Sequence, residues 1–267
     1  MTHSSAEPAQ AFDLDYSIHD FPFDRRLDTQ FLNRRIDEVM VRESKARGGR
    51  ALDVACGLGK LAVNLREHGT ESWGLDPSHE MLSLSRWVYP PEQLILVRGI
   101  AEVLPFRDAG FDRIVCQGSL DHFVEPQAFM REAARVLCPG GRLVIALSNY
   151  ESLSCRLGRL LYRLAIDLLR RPQPPHRPYW QPPPDHYHKG DVSFVRQLGG
   201  DRLRLARCYG ISLLWLLYYW DSTLGSLPRP LADAILVALD RIAHRAPGLA
   251  DMIISIWRPR AAEGEAR

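Results

Sequence analysis

Apolar and polar positions along this chain repeat at two periods. Between residues 50 and 150, short, largely apolar runs recur within Arg50 to Lys60 and at Glu71 to Leu75, Leu94 to Arg98, Phe111 to Gln117 and Arg142 to Ser148. Runs of that length, bounded by Gly, Pro or Asp, read as buried strands. Helical spacing lies between them, from Leu61 to His68, from Pro77 onward, and from Pro126 to Leu137, where Cys138-Pro139-Gly140-Gly141 stops the pattern. Strands alternating with helices predict an α/β fold with a doubly wound, mostly parallel sheet and helices on both faces. Ahead of it, Leu27 to Arg47 carries Phe31, Leu32, Ile36, Val39 and Met40 on one stripe, an amphipathic helix ended by Gly48-Gly49.

The rhythm changes after residue 150. Cys155 to Arg171 predicts a helix with Leu157, Leu160, Leu161, Leu164 and Leu168 on one face and Arg156, Arg159, Arg163 and Arg170 on the other. Seven prolines in the thirteen residues from Pro172 to Pro184 then make a semi-rigid extended segment. It runs into Asp185-His186-Tyr187-His188-Lys189, where alternate spacing turns His186 and His188 the same way on an extended chain. Asp191 to Leu198 reads as a helix, and Arg204 to Tyr209 and Met252 to Trp257 as two more strands. Between those strands lie the aromatic run ISLLWLLYYW and a helix near Leu231 to His244, an insertion near the C-terminus. The expected divisions are 1–48 (N-terminal segment and helix), 49–150 (core), 151–203 (basic helix and Pro-rich lid), 204–258 (last strands with the insertion) and 259–267 (polar tail).

Composition narrows the class. With 267 residues, 46% hydrophobic and 25% charged, the chain can bury a substantial core. A net charge of +2 gives no global pull toward nucleic acid. Five cysteines without CxxC spacing indicate reduced thiols in a cytoplasmic setting and no structural zinc. The start MTHSSAEPAQ has neither the basic nor the apolar region of a secretory signal, and the longest apolar run, Ile211 to Trp220, is half of what a membrane span needs.

The candidate chemistry begins in RALDVACGLGK, Arg50 to Lys60, an apolar strand that feeds Gly57 and Gly59 and then a helix. Glycines there let a ligand approach the backbone, and the N–H groups opening the helix offer donors. Asp53 lies inside the strand, two residues before the turn begins at Ala55, and a carboxylate there suits a ligand with cationic groups better than a pyrophosphate. Gly57-x-Gly59-x-x-Ala62 also satisfies the looser dinucleotide spacing, so an NAD-dependent oxidoreductase stays open at this point. Asp76 ends the second strand, where a carboxylate can accept from two ribose hydroxyls, or else cap a helix starting at Pro77. The segments after the third and fourth strands, Gly99 to Phe106 and Gly118 to Phe123, fall on the same rim of the sheet. Asp121 and His122 sit in the last of these, and a histidine there is a candidate general base.

LDVACGLG, WGLDPSHEML, GIAEVLPFRDAGFDRIV and REAARVLCPGGRLVIA, in that order, resemble the motifs of class I S-adenosylmethionine-dependent methyltransferases, in particular the small-molecule branch with the ubiquinone and menaquinone enzymes. The resemblance covers residues 50 to 150. It implies a seven-stranded Rossmann-like sheet whose last two strands form a reversed hairpin, with S-adenosyl-L-methionine across the first three strand ends. Asp53, Ala55, Gly57 and Gly59 would then hold the methionine end, Asp76 the ribose, and the backbone at Ala101 and Glu102 the adenine edge. Two positions depart from the pattern, since Ala55 replaces the first glycine of the loop and Ile100 replaces the usual acidic residue beside adenine. The implied reaction is in-line methyl transfer to a small, hydrophobic acceptor, with His122 and Asp121 on the acceptor side. Tyr16, in a segment that either flaps over the ligand or packs as satellite core, and His186, Tyr187 and His188 are substrate-side candidates; no metal ligand set is legible. The basic 155–171 helix either packs on the sheet or meets an anionic membrane surface, and the aromatic insertion is core, homodimer face or pocket wall. A third overall reading is a cofactor-binding but catalytically idle protein.

Overall fold

The computed structural model describes residues 26–168 and 177–260, with the side chains of 167 and 168 left aside. Tyr16, the 259–267 tail beyond residue 260, and the end of the predicted 155–171 helix lie outside the described residues. Seven strands form one sheet: β1 (Arg50–Val54), β2 (Glu71–Asp76), β3 (Ile95–Arg98), β4 (Phe111–Gln117), β5 (Leu137–Ser148), β6 (Leu203–Ile211) and β7 (Met252–Pro259). Their spatial order is β3-β2-β1-β4-β5-β7-β6. The first five are parallel and β7 is antiparallel to both its neighbours. The expected seven-stranded sheet and reversed final hairpin are therefore present. Strand order reverses between β1 and β4, which opens a crevice at their carboxyl ends.

Both faces of the sheet are covered, which is why its strands read as apolar runs instead of alternating ones. On one face α1 (Leu27–Ser44) and α2 (Lys60–Glu67) bury Leu32, Ile36, Met40, Leu61 and Leu65 against Val115, Val144 and Ile254. On the other, α4 (Pro126–Val136) buries Phe129, Met130 and Ala133 against Ile114, Ile145 and Trp257. Between these two helices in sequence, α3 (His79–Val88) connects β2 to β3.

Some boundaries differ from expectation for local reasons. The helix expected from Pro77 starts at His79, because Ser78 is the N-cap and its Oγ accepts from Met81 N at 3.2 Å. Asp76 is thus not the cap residue. Cys138-Pro139-Gly140-Gly141 does not precede β5 but belongs to it, absorbed by a register shift opposite Phe111 to Arg113.

The larger correction is α5 (Leu153–Arg163), followed by a π-helical turn at Leu164–Leu168. Its leucine stripe is not the packed face. Leu160, Leu161 and Leu164 are 46–53% exposed, whereas Ser154, Cys155 and Gly158 are buried. Gly158 explains the choice, since a Cβ there would stand 2.4 Å from Tyr179 Oη and 2.6 Å from the Trp180 ring. The helix is drawn in by its smallest residues, against the aromatic pair that lies within the proline-rich stretch. A short helix α6 (Val192–Gln197) leads to β6.

The insertion between β6 and β7 contains α7 (Trp220–Gly225) and α8 (Arg229–Arg245). The aromatic run before α7 is irregular, with positive φ at Ser212, Leu214, Leu216 and Tyr219. Buried Asp251 holds it by accepting from Ser212 Oγ and Trp215 N, and Trp215 Nε1 donates to Thr29 on α1. No helix among the described residues is long and apolar enough to cross a membrane.

Candidate functional site

A cavity of about 350 Å³ opens at the carboxyl ends of β1, β2 and β4, where the order of the sheet reverses. The loop after β1 forms its floor with Ala55, Cys56, Gly57 and Leu58; Asp53 and Asp76 line it from the strand ends, and Ile100, Ala101 and Glu102 from the loop after β3. Gln117, Gly118, Ser119, His122 and Phe123 close the far side.

The glycine turn is shaped by backbone geometry. Gly57 and Gly59 have φ of 54° and 76°, and a Cβ on Gly59 would come within 2.3 Å of Leu94 Cδ2. Gly59 does not line the cavity; it lets α2 start where it does. Ala55 adopts φ 55°, a left-handed conformation in which a Cβ is strained by about 1–2 kcal/mol. Alanine therefore keeps the backbone conformation that a glycine would take without strain.

Asp76 binds the loop to the second strand. Its Oδ2 accepts from Gly57 N at 2.8 Å and its Oδ1 from Ser78 N at 2.9 Å. Each oxygen keeps a lone pair that a ribose hydroxyl can use. Burial pushes its pKa up, against those two hydrogen bonds. Asp53 is more extreme. It is 3% exposed, and burial, with a smaller contribution from Asp76, raises it to about 8 despite a backbone hydrogen bond at Ala62. Among the described residues no cationic side chain pairs with either carboxylate. Ala101 lies against the cavity, while Glu102 turns its carboxylate to the next loop, with Oε1 accepting from Val124 N at 3.0 Å.

At the other end, a turn of 3-10 helix (Leu120–His122) presents two side chains in different directions. His122 reaches the cavity. Asp121 points away from it and is buried, its Oδ2 at 2.8 Å from His186 Nδ1. The two imidazoles lie edge to face with centroids 4.3 Å apart, His122 Nδ1 is 3.4 Å from Asp185 Oδ2, and Tyr150 Oη is 3.3 Å from His186 Nδ1. The backbone N–H groups of Tyr187 and His188 both donate to the Asp121 carbonyl, fastening the 185–188 segment to this turn.

The three substrate-side candidates of that segment therefore part company. His186 joins the cluster beside the cavity, the Tyr187 ring is half exposed, and His188 stacks on Phe194 with its Nε2 3.4 Å from the Val124 carbonyl. Alternate spacing did not turn His186 and His188 to one purpose. Asp185 and Tyr150 were not singled out from the sequence. Asp185 adjoins His186 in the chain, whereas Tyr150 carries no local signal. The third ligand that the sequence did not offer for a metal is here: ligand atoms of Asp121, His122 and His186 all lie within 4.8 Å of one another.

A family model described as a methyltransferase domain matches residues 52–145, the stretch that supplies every cofactor-side residue above. An uncharacterized methyltransferase of Mycobacterium tuberculosis is 39% identical over 113 residues, 42% of this chain and 44% of that protein. The ubiquinone biosynthesis O-methyltransferase of Xanthomonas oryzae pv. oryzae is 30% identical over 119 residues, 43% of this chain and 49% of that protein. The chain thus spans about half the length of these relatives. Among solved structures, an S-adenosylmethionine-dependent methyltransferase of Mesorhizobium loti superposes with a TM-score of 0.51 over 85% of this chain and 96% of that one, at 17% identity, a likeness of fold. The matched stretch ends before Tyr150, Asp185 and His186, so one of the two clustered histidines comes from outside it.

Proposed function

We propose that the chain is an S-adenosylmethionine-dependent methyltransferase acting on a small acceptor. The observation that carries this reading is the pair of buried carboxylates, Asp53 and Asp76, on one cavity beside a glycine turn, with no cationic side chain paired to either among the described residues. Such a site fits a ligand that brings positive charge at one end and ribose hydroxyls in the middle. Asp53 and the Ala55 to Gly57 backbone would face its ammonium and sulfonium groups, and Asp76 its ribose. Adenine would lie by Ala101 with Ile100 against it, held by the backbone of Ala101 and Glu102 and by apolar contact. The cofactor supplies an activated methyl group, so the protein's task is to align the acceptor and exclude water.

His122 and Asp121 act on the acceptor side. His122 faces the cavity, and Asp121 fixes His186 beside it as a positioning residue. An acceptor hydroxyl would lose its proton at this end as its oxygen takes the methyl group and the electron pair of the broken bond stays on sulfur. An oxygen acceptor is favoured by the name of the Xanthomonas relative. Calorimetric titration with S-adenosylhomocysteine, run beside NAD and NADP, tests the reading. Saturable binding of the homocysteine compound alone is expected; silence from it, or binding of a nicotinamide nucleotide, overturns it.

A second reading adds to this one. The exposed Leu160, Leu161 and Leu164, with exposed Arg156 and Arg163 on the same helix, fit a peripheral contact with an anionic lipid surface.

A further inference from the structure

We infer that Asp121, His122 and His186 form a binding site for a divalent transition cation at the acceptor end of the cavity. Two imidazoles and a carboxylate are drawn together from segments more than sixty residues apart, with ligand atoms all within 4.8 Å of one another. Tetrahedral metal–ligand bonds of about 2.0–2.2 Å place ligand atoms roughly 3.3–3.6 Å apart, so rotations of the side chains by about an ångström at their tips close the set around an ion.

A second observation points the same way. The Asp121 side chain is 2% exposed, yet its Oδ1 has no hydrogen-bond partner among the described residues. A buried carboxylate oxygen without a partner is expensive, and a cation is one of the few groups that satisfies it. His186 Nδ1, 2.8 Å away, meets only the other oxygen, Oδ2.

The surroundings fit a ligand set and its supports. Asp185 Oδ2 stands 3.4 Å from His122 Nδ1, a position from which a neighbouring group orients an imidazole that binds a metal through its other nitrogen. The Asp121 carbonyl, by accepting from Tyr187 N and His188 N, fixes the spacing of the two ligand segments. Donor chemistry sets the cation class. Two imidazoles with one carboxylate suit zinc, cobalt, nickel or iron, whereas calcium and magnesium take oxygen donors. Three protein ligands leave a coordination position open, and His122 places it next to the cavity. Resting on the proposed function, the inference adds an acceptor class, namely small molecules with an oxygen donor that reaches this position.

The test uses the full, untagged chain stripped with a chelator. Titration with Co²⁺ is followed by visible d–d absorption, and zinc content after Zn²⁺ loading and dialysis is measured by mass spectrometry. One equivalent per chain is expected, with d–d bands that vanish in His186→Gln and His122→Gln variants whose circular dichroism matches the parent. Absence of bands and of retained zinc in folded protein overturns the site, as do bands that persist in both variants. S-adenosylhomocysteine titration of the same stripped sample separates the two readings. Cofactor binding without Co²⁺ binding overturns the metal site alone, and Co²⁺ binding without cofactor binding upholds the site and overturns the cofactor assignment.

Discussion

Asp53 carries the sharpest quantitative expectation. With its pKa raised to about 8 by burial, about nine in ten empty molecules hold this carboxyl neutral at pH 7. A ligand bringing a sulfonium and an ammonium group favours the ionised form, and a contact of roughly 1.5–3 kcal/mol lowers the bound pKa enough that binding S-adenosylmethionine at pH 7 should release about 0.5–0.85 of a proton. Calorimetry in buffers of different ionisation enthalpy measures this directly, because the observed enthalpy changes with buffer in proportion to the protons released. Asp53→Asn, nearly isosteric, should remove that dependence. The affinity gap between the two proteins should also widen with pH. Ionising Asp53 costs about 2.7 kcal/mol at pH 6 and about 0.4 kcal/mol at pH 8, against roughly 1.5–3 kcal/mol for the charge-assisted contact that Asn lacks. The gap is then near zero at pH 6 and about 1–2.5 kcal/mol at pH 8. Stability of the empty protein gives an independent check. A carboxyl raised in the folded state contributes stability that is complete below its unfolded pKa of 3.8 and is lost as pH rises toward 8, by at most about 1.4 kcal/mol per pH unit. Asp251, raised by burial to about 7, titrates in the same window, so the quantity to compare is parent minus Asp53→Asn. A buffer-independent enthalpy for saturable binding at pH 7, or parallel stability profiles for the two proteins, would refute the reasoning.

Three further outcomes are expected. Ala55→Gly relieves a left-handed alanine worth about 1–2 kcal/mol and adds about 0.4–1 kcal/mol of unfolded-chain entropy, so thermal unfolding should rise slightly; a fall would mean the Ala55 methyl packs usefully. Ile100→Asp restores an acceptor beside the adenine amino group, and S-adenosylhomocysteine should bind up to about tenfold tighter by calorimetry; unchanged or weaker binding would place adenine elsewhere. Co-sedimentation with anionic vesicles should drop when Leu160, Leu161 and Leu164 become Gln, and drop again in high salt; no pelleting of the parent protein would retire the membrane contact.

The sheet and the glycine turn with its neighbouring carboxylates were legible in the sequence because both are written locally. Each strand buried on two faces is largely apolar, and the turn after β1 takes positive φ at Gly57 and Gly59, so these short stretches declare their own structure. Asp53 stood out for the same reason, a carboxylate within an otherwise apolar strand. The helix α5 was misjudged because amphipathic spacing shows which face is apolar but not what lies opposite. Tyr179 and Trp180, twenty residues away, leave room only for Gly158 and its small neighbours, and that steric demand outweighs the burial of three leucines.

The acceptor end was hidden for a different physical reason. Asp121 and His122 are adjacent in sequence, yet a single turn of 3-10 helix buries the first side chain and brings the second to the cavity, so what they share is a cluster completed only by His186 from a distant part of the chain. Their partners arrive by chain return, when the segment after the prolines docks through two backbone hydrogen bonds onto the Asp121 carbonyl. No periodicity encodes that return, since backbone donors carry no side-chain signature. What the sequence does contain is Asp185-His186, an acid and an imidazole at the end of a stiff proline-rich approach. Such a stretch restricts where its end can go, and so lowers the entropy lost when His186 is fixed against Asp121. Shortening the segment between α5 and Asp185 should therefore abolish Co²⁺ binding at the histidine cluster, while S-adenosylhomocysteine, whose proposed contacts all lie within residues 52–145, still binds by calorimetry.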